Sequence, residues 1–282
     1  MNLEYYQQES PFYFIGKTKR ENKEVGVFCK MWRDGDRLTN VDDIKQEMAM
    51  MKLAISEGVP CPDLLEDLSK INYSSSDSLS SSSSGVYHMI VMSKLRRDKV
   101  LPKDALTFSI SLVSACLKLH NDAGVLHCDV KPGNLSWDST TSTVSLLDFG
   151  HAQLENGAQW YGGTRGYEAP EIVKSEEKRE PQPHSRASDA YSVGKTLLTV
   201  VEEIRGSTTS SSNNSSNSKE IEKKLNTVHS VAEMLCKEDV SERLSLSDAK
   251  SKLENSTTTP VNSRKVVDSK GSPNSVMSPT PS

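Results

Sequence analysis

A length of 282 residues allows one large domain or two small ones, and a hydrophobic content of 35% is low for a fully globular chain. The net charge of −4 and the pI near 5.9 argue against nucleic acid or a membrane as the main partner. The sequence contains neither an apolar run of bilayer-spanning length nor the apolar core of a signal peptide. We therefore expect an intracellular protein of the cytoplasm or the nucleus.

Three serine-rich segments explain the low hydrophobic content. Residues 74–84 are almost entirely serine, residues 207–218 combine serine with threonine and asparagine, and residues 255–282 add proline. Such segments cannot bury enough apolar surface to offset the entropy that is lost when a chain becomes ordered. The sequence predicts two disordered inserts and a disordered tail.

The five cysteines are predicted to be free thiols. Their number is odd, and their positions do not show the paired spacing of a zinc site or a disulfide framework. They are Cys29, Cys61, Cys116, Cys128 and Cys236.

The first part of the chain has the pattern of a small β-rich lobe. Residues 12–18 and 24–32 resemble strands and are joined by a polar turn, which predicts an antiparallel hairpin. Residues 42–56 carry apolar side chains three and four positions apart and predict an amphipathic helix. Residues 86–92 are mostly apolar and predict a buried strand.

The second part of the chain is predicted to be mainly helical. Residues 106–122 and 188–201 have apolar residues at helical spacing, and residues 218–253 are long enough for two further helices. We expect a sheet-rich lobe at about 1–93 and a helical lobe at about 96–254. A cleft between two such lobes is where a nucleotide would bind.

Two motifs in a fixed order carry the chemistry. Residues 127–134 read His-Cys-Asp-Val-Lys-Pro-Gly-Asn, and Leu-Asp-Phe-Gly begins thirteen residues after Asn134. Together they offer a carboxylate to receive a hydroxyl proton, a cation for a phosphate and two oxygen ligands for magnesium. This combination predicts phosphoryl transfer.

A third motif, Gly-Thr-Arg-Gly-Tyr-Glu-Ala-Pro-Glu at residues 163–171, completes a resemblance to the eukaryotic protein kinase superfamily. The resemblance runs from about residue 12 to about residue 254. It implies an α+β bilobal fold, with a small antiparallel sheet and one helix in the first lobe and a mainly helical second lobe. We expect a kinase-like domain at 1–254, of the serine/threonine type, followed by the tail at 255–282.

The resemblance assigns roles at the reaction centre. Asp129 is implied to be the base, Lys131 to place a positive charge beside the transferred phosphoryl group, and Thr164 to hydrogen-bond both. Asn134 and Asp148 are implied to bind Mg²⁺ together with the phosphates of ATP. An asparagine considered alone is more often a turn residue than a metal ligand, but the motif around Asn134 argues against a role in a turn only.

Further residues are implied to bind the nucleotide. Lys30 closes a strand-like run and matches the family lysine that holds the α and β phosphates, and Glu47 on the following helix is expected to pair with it. Asp42 and Asp43 are alternative acidic partners. The remaining residues expected at the nucleotide are Ile15, Met92, Ser93 and Leu95.

The resemblance also implies scaffold roles outside the reaction centre. His127 and Phe149 are expected in an apolar stack that couples the two lobes. Glu171 is expected to pair with Arg243, and Asp189 is expected to anchor the catalytic loop from below.

The nucleotide loop departs from the family pattern. The glycine-rich loop that covers the phosphates falls at Gln8–Tyr13 in this chain, which contains no glycine there. Glycine allows backbone amides to approach phosphates closely, and Pro11 also removes one donor. We expect nucleotide binding that is weaker or depends more strongly on Lys30 and magnesium.

A second departure concerns regulation. Cys128 stands where most family members carry an arginine that binds a phosphate on the activation loop. Residues 151–162 contain no serine or threonine, and Tyr161 is the one hydroxyl candidate. We therefore expect an enzyme that is not switched by serine or threonine phosphorylation there. The Cys128 thiol itself is expected to be inert.

Three functions are compatible with these observations. The leading hypothesis is an active, monomeric serine/threonine protein kinase that uses ATP and Mg²⁺ on a protein substrate. A pseudokinase serving as a binding or scaffold module is the alternative suggested by the missing glycines, and a complete set of Lys30, Asp129, Asn134 and Asp148 disfavours it. A phosphotransferase for small molecules or lipids is disfavoured by the motif at 163–171, which such enzymes lack.

Overall fold

The computed structural model describes residues 4–10, 13–20, 23–33, 41–74, 84–157, 162–178, 182–208 and 216–257. Most of the first serine-rich segment, the middle of the second and nearly all of the tail lie outside these ranges, and so does Tyr161. Helices extend into both ends of the segment at 207–218 that is predicted to be disordered.

The first lobe is built on a five-stranded antiparallel sheet with the strand order β1-β2-β3-β5-β4. Its strands are β1 (Glu4–Ser10), β2 (Tyr13–Arg20), β3 (Lys23–Arg33), β4 (Leu64–Ser74) and β5 (Ser84–Ser93). The β2–β3 pair confirms the predicted hairpin, and β5 confirms the predicted buried strand. The sequence patterns do not predict β1 and β4, because β1 is polar and the pairing of β4 with β5 is interrupted by register shifts.

One helix, α1 (Val41–Ser56), packs against this sheet. Its inward face contains Ile44 and Met48, which form a small apolar cluster with Ile90 of β5. The same face carries the buried side chain of Glu47. The helical periodicity therefore brings an acidic side chain to the inner surface of the lobe, as the family resemblance implies.

The second lobe is mainly helical. It contains α2 (Ala105–Asn121), α3 (Pro170–Lys178), α4 (Arg186–Thr208), α5 (Ser216–Leu235) and α6 (Leu246–Asn255). Two short antiparallel pairs complete it: β6 (Val125–Leu126) with β9 (Gln153–Leu154), and β7 (Leu135–Asp138) with β8 (Thr143–Leu146). The bilobal α+β fold is thus confirmed. Among the α-helices in the described ranges, α3 is the one that the sequence patterns do not predict.

The main apolar core lies around α2, which is buried on most of its surface. Leu112, Cys116 and Leu119 of α2 are fully enclosed by residues of α4, α5, α6 and the β7–β8 pair. The loop between β6 and β7 leaves this core toward the first lobe and carries the first chemical motif. Within the described ranges, no helix has both the length and the apolarity needed to cross a bilayer.

Candidate active site

A buried aspartate on α4 holds the loop at 127–134 in place. Asp189 accepts hydrogen bonds from the backbone amides of His127 (2.8 Å) and Cys128 (2.9 Å), and its Oδ2 lies 2.9 Å from Nε2 of His120. Burial alone would raise the pKa of Asp189, but the contacts with His120 and His127 lower it below its usual value. The contacts also support the left-handed backbone of Cys128, with a φ of 63°. Asp189 thus anchors the loop as predicted.

One carboxylate oxygen of Asp129 is held by hydrogen bonds, and the other is buried without a partner among the described residues. Its Oδ2 accepts hydrogen bonds from Nζ of Lys131 (2.7 Å) and Nδ2 of Asn134 (2.8 Å). Its Oδ1 is buried and has no hydrogen-bond partner among the described residues. Lys131 also donates to Oγ1 of Thr164 at 2.5 Å, so Thr164 reaches the carboxylate through the lysine. The geometry leaves one carboxylate oxygen able to accept a proton or a hydroxyl hydrogen bond.

His151 is a neighbour of this carboxylate that the sequence does not reveal. Its Nδ1 lies 3.8 Å from Oδ2 of Asp129, and its side chain is partly exposed. It follows the motif that contains Asp148, whose backbone is left-handed with a φ of 58°.

Lys30 of β3 is held by two carboxylates. Its Nζ lies 2.7 and 2.9 Å from the carboxylate oxygens of Glu47 and 2.8 Å from Oδ1 of Asp148. The predicted ion pair with Glu47 is therefore present, whereas Asp42 contacts Lys45 on its own helix. Burial alone would lower the pKa of Lys30, but the two carboxylates raise it above its usual value. The ammonium group remains charged inside the cleft.

Asn134 and Asp148 offer oxygen atoms of the kind that magnesium prefers. The side-chain NH₂ group of Asn134 donates hydrogen bonds to Asp129. The side-chain carbonyl oxygen of Asn134 is therefore left for a cation. In the described part of the chain, no three His, Cys, Asp or Glu side chains gather into a metal-binding group. A magnesium ion at these two residues would therefore complete its shell with phosphate oxygens and water, and the donor set fits this arrangement.

A cavity of about 300 Å³ lies next to these groups, between the two lobes. Lys30, Asn134 and Asp148 line it, and three of the predicted nucleotide residues line it as well: Met92, Ser93 and Leu95. The structure does not bring Ile15 to the described wall of the cavity, although Ile15 pairs with Phe28 across β2 and β3.

The cavity wall also contains two aromatic residues that the sequence analysis does not assign to the nucleotide site. Tyr13 and Phe28 stack with ring centroids 5.5 Å apart and both line the cavity. Tyr13 pairs with Lys30 across the β2–β3 ladder, so the strand register places it on the cavity side. The pairing of β1 and β2 extends to Ser10 and Tyr13, and the two residues between them lie outside the described ranges.

The segment that begins at Gly162 connects the reaction centre to the helical lobe. The amide of Gly163 donates to Oε1 of the buried Glu168 at 2.7 Å. Further along, Arg243 forms a bidentate pair with Glu171 at 2.6 and 2.8 Å and donates to the carbonyl of Ala187 at 2.9 Å. The predicted pair of Glu171 and Arg243 is therefore present. It joins the end of this segment to the loop before α6.

His127 and Phe149 are in contact beneath the cavity, as predicted for a stack. Their ring centroids are 5.5 Å apart, and both side chains are fully buried. Nε2 of His127 lies 3.0 Å from the carbonyl oxygen of Leu147, which ties the two motifs together.

Cys128 is enclosed by its neighbours. The amide of Gln153 contacts its sulfur at 3.5 Å, and only 3% of the cysteine is exposed. Burial, and then the nearby charge of Asp189, raise the pKa of this thiol well above its usual value. The thiolate that oxidants and alkylating agents require is therefore suppressed.

Comparisons with known proteins agree with this geometry. The family model of the protein kinase domain matches residues 79–256. Mitogen-activated protein kinase 12 of Mus musculus is 31% identical over 111 residues, which cover 39% of this chain and 29% of that protein. The G-type lectin S-receptor-like serine/threonine-protein kinase RLK1 of Arabidopsis thaliana is 32% identical over 113 residues, or 38% of this chain and 13% of the relative.

A bacterial relative matches this chain to a similar extent. Serine/threonine-protein kinase PknG of Mycobacterium leprae is 30% identical over 108 residues, which cover 38% of this chain and 13% of that protein. The chain thus matches less than a third of the length of each of these relatives. Because the family match covers more than half of the chain, the protein belongs to the protein kinase domain family.

Proposed function

We propose that the protein is an ATP-dependent serine/threonine protein kinase in which Asp129 receives the proton of a protein hydroxyl. The observation that carries this proposal is the asymmetry of the Asp129 carboxylate. Lys131 and Asn134 hold Oδ2, whereas Oδ1 is buried and has no partner among the described side chains and backbone groups. Buried acceptors are nearly always paired in folded proteins, which supports the substrate hydroxyl as the partner of Oδ1.

The chain's own groups would divide the work of the transfer. Asp129 would orient the substrate hydroxyl more than activate it, because little proton transfer is needed in a loose phosphoryl transition state. Lys131 would balance charge on the transferred group while Thr164 holds its ammonium in position. The contact of Lys131 with Thr164 joins the motif at 163–171 to the loop that carries Asp129, which supports a protein acceptor.

The cavity would hold the nucleotide. ATP would supply the phosphoryl group, and magnesium would offset its negative charge. Lys30, held by Glu47, would contact the phosphates, and Asn134 and Asp148 would ligate the metal ion. The base would lie beside Met92, Ser93 and Leu95, whereas Ile15 does not line the described part of the cavity.

The proposed activity would not require phosphorylation of a serine or threonine between residues 151 and 162. That segment contains neither residue type. The side chain at position 128 is a buried, uncharged thiol rather than a cation that could bind a phosphate.

The test is phosphoryl transfer from radiolabelled ATP with Mg²⁺ to a mixed protein substrate. We expect transfer by the wild type and a loss of roughly 10²-fold or more in Asp129→Asn and in Lys30→Met. Lys103→Met makes the same chemical change as Lys30→Met at an exposed position and should retain activity. Analysis of the labelled amino acids should give phosphoserine or phosphothreonine.

Two results would overturn the proposal. If the wild type transfers no more phosphate than Asp129→Asn, Asp129 has no catalytic role. ATP binding without transfer would instead favour the pseudokinase alternative, which the glycine-free stretch before β2 suggests.

A further inference from the structure

Arg186, the first residue of α4, connects two other parts of the second lobe. Its guanidinium donates to both carboxylate oxygens of Glu155 at 2.6 and 2.9 Å, to the side-chain oxygen of Asn121 at 2.6 Å and to the backbone carbonyl of His120 at 2.9 Å. Glu155 directly follows β9, whereas the other two acceptors lie at the end of α2. One side chain therefore ties the segment at 151–157 to both α2 and α4.

The contact of Arg186 with Glu155 has the geometry in which an exposed ion pair contributes to structure. The two side chains are 46% and 35% exposed, and most ion pairs at such positions contribute little. Bidentate pairs within a network are the exception. This pair is bidentate, and the two acceptors of α2 hold the guanidinium as well. The hydrogen bond from Arg186 lowers the pKa of Glu155, so the carboxylate is charged at neutral pH.

The segment that ends near Glu155 lies against the catalytic loop. Its strand β9 pairs with β6, which directly precedes the loop. The amide nitrogen of Gln153 contacts the sulfur of Cys128 at 3.5 Å, and Nδ1 of His151 lies 3.8 Å from Oδ2 of Asp129. A displacement of the segment would therefore change the surroundings of the proposed base.

The contacts of Arg186 with α2 lead to the other side of the same loop. The backbone carbonyl of His120 accepts a hydrogen bond from Arg186, and the imidazole of His120 lies 2.9 Å from the carboxylate of Asp189. Asp189 in turn accepts the backbone amides of His127 and Cys128. The catalytic loop thus lies between two groups of residues that Arg186 joins.

We propose that the Glu155–Arg186 pair positions the catalytic loop by holding the segment at 151–157 in place. The pair would do permanently what a phosphate and its arginine receptor do in a switched enzyme. This chain has no serine or threonine between 151 and 162, and residue 128 is an uncharged thiol. Arg186 is a positioning residue, because it acts on the reaction centre through its neighbours. The effect on activity rests on the proposed function, whereas the anchoring of the segment does not.

The first measurement follows the segment itself and needs no activity. Gln153 contacts the sulfur of Cys128, so loosening of β9 should expose this thiol to iodoacetamide. We expect Arg186→Met and Glu155→Gln to raise the rate of Cys128 labelling at pH 8 roughly tenfold over the wild type, by mass spectrometry. Cys116 is fully enclosed in the core around α2 and reports global unfolding. It should remain unlabelled in both variants.

The second measurement separates positioning from nucleotide binding. Arg186→Met should lower kcat roughly tenfold. The KM for ATP should not change, because Arg186 is not in the described wall of the nucleotide cavity. Arg186→Lys keeps the charge but lacks the planar fork, so its kcat should be intermediate. The matched control is Arg205→Met, which removes an exposed arginine that pairs with Glu222 near the other end of α4 and should match the wild type.

A double-mutant cycle tests the pair rather than either residue. The variant Glu155→Gln/Arg186→Met should have the same kcat as the more severely affected single variant, because both substitutions remove one shared contact. If the losses of the two single variants multiply in the double variant, the residues act independently and the proposed pair is wrong.

Unchanged Cys128 labelling in Arg186→Met and Glu155→Gln would overturn the anchoring. Labelling of Cys116 together with Cys128 would do the same, because the pair would then support the whole fold rather than the segment. Faster Cys128 labelling with an unchanged kcat, or with a changed KM for ATP alone, would overturn the link to catalysis. Faster labelling in a protein whose wild type transfers no phosphate would count against the proposed function and leave the anchor standing.

Discussion

Asn134 donates its side-chain amide to both the backbone carbonyl (3.0 Å) and the carboxylate Oδ2 (2.8 Å) of Asp129. One residue therefore orients the proposed base and also presents a carbonyl oxygen to a metal ion. The two tasks use different atoms of the same amide. Substitutions that preserve one atom and change the other can distinguish them.

Asn134→Asp should lower kcat by roughly 10²-fold or more. The substitution keeps an oxygen for magnesium but replaces the donor to Asp129 with a second carboxylate, which repels it. Measurement of kcat across a range of Mg²⁺ concentrations checks this, because the loss should persist at saturating metal. A variant whose activity returns fully at high Mg²⁺ would show that metal binding was the only task.

Arg243→Met should destabilise the protein by about 3–5 kcal/mol, the cost of leaving a buried charge without its partner. The Arg243 side chain is fully buried, and Glu171 is 14% exposed. Urea denaturation gives the free energy of unfolding. The double variant Glu171→Gln/Arg243→Met should recover part of the loss, and a double variant less stable than Arg243→Met would contradict this account.

Acid should destabilise the fold in part through Asp189 and Glu171. Burial alone would raise the pKa of each carboxyl, but hydrogen bonds from His120 to Asp189 and from Arg243 to Glu171 lower both pKa values. A carboxyl with a lowered folded-state pKa stabilises the fold above its unfolded pKa, near 4. This contribution is lost as the pH falls through the folded-state pKa.

The free energy of unfolding should therefore decline as the pH decreases below about 4. Asp189→Asn should be less stable at neutral pH and show a shallower decline in acid. Asp63→Asn, the same change at an exposed position, should follow the wild type. Parallel acid slopes for the wild type and Asp189→Asn would argue against the role of this carboxyl.

Cys128 should resist alkylation in the folded protein. Its thiol is buried, and burial and Asp189 raise its pKa, so little thiolate is available. Mass spectrometry after brief iodoacetamide treatment at pH 8 should find Cys128 unlabelled in the native protein and labelled in urea. Labelling of native Cys128 at the rate of a free thiol would mean that the catalytic loop opens readily.

Periodicity and motif order predict much of this fold. The β2–β3 hairpin, α1 and the long helices follow from local patterns of apolar residues. The pairing of Lys30 with Glu47 follows from the family resemblance, because the residue patterns alone leave Asp42 and Asp43 as alternatives. The strand β4 is not predicted from its own sequence, because its pairing with β5 shifts register twice. Its existence depends on its neighbour more than on its own alternation.

Within the site, the motif residues are predictable and their neighbours are not. His151 lies 3.8 Å from Asp129, a residue 22 positions earlier in the chain, and no residue pattern indicates this approach. Arg97 reaches the carbonyls beside Asn134 from a segment 36 to 38 residues earlier in the chain. Such contacts arise from packing between distant segments, so a single sequence without structure does not disclose them.

The anchoring of the catalytic loop by Asp189 also has a consequence for biosynthesis. Asp189 follows His127 and Cys128, whose amides it binds, by 62 and 61 residues. A growing chain therefore exposes the complete loop well before its anchor has been synthesised, and domains form such long-range contacts late. A nascent chain that stops before α4 contains every residue of the loop but lacks the fixed orientation of Asp129.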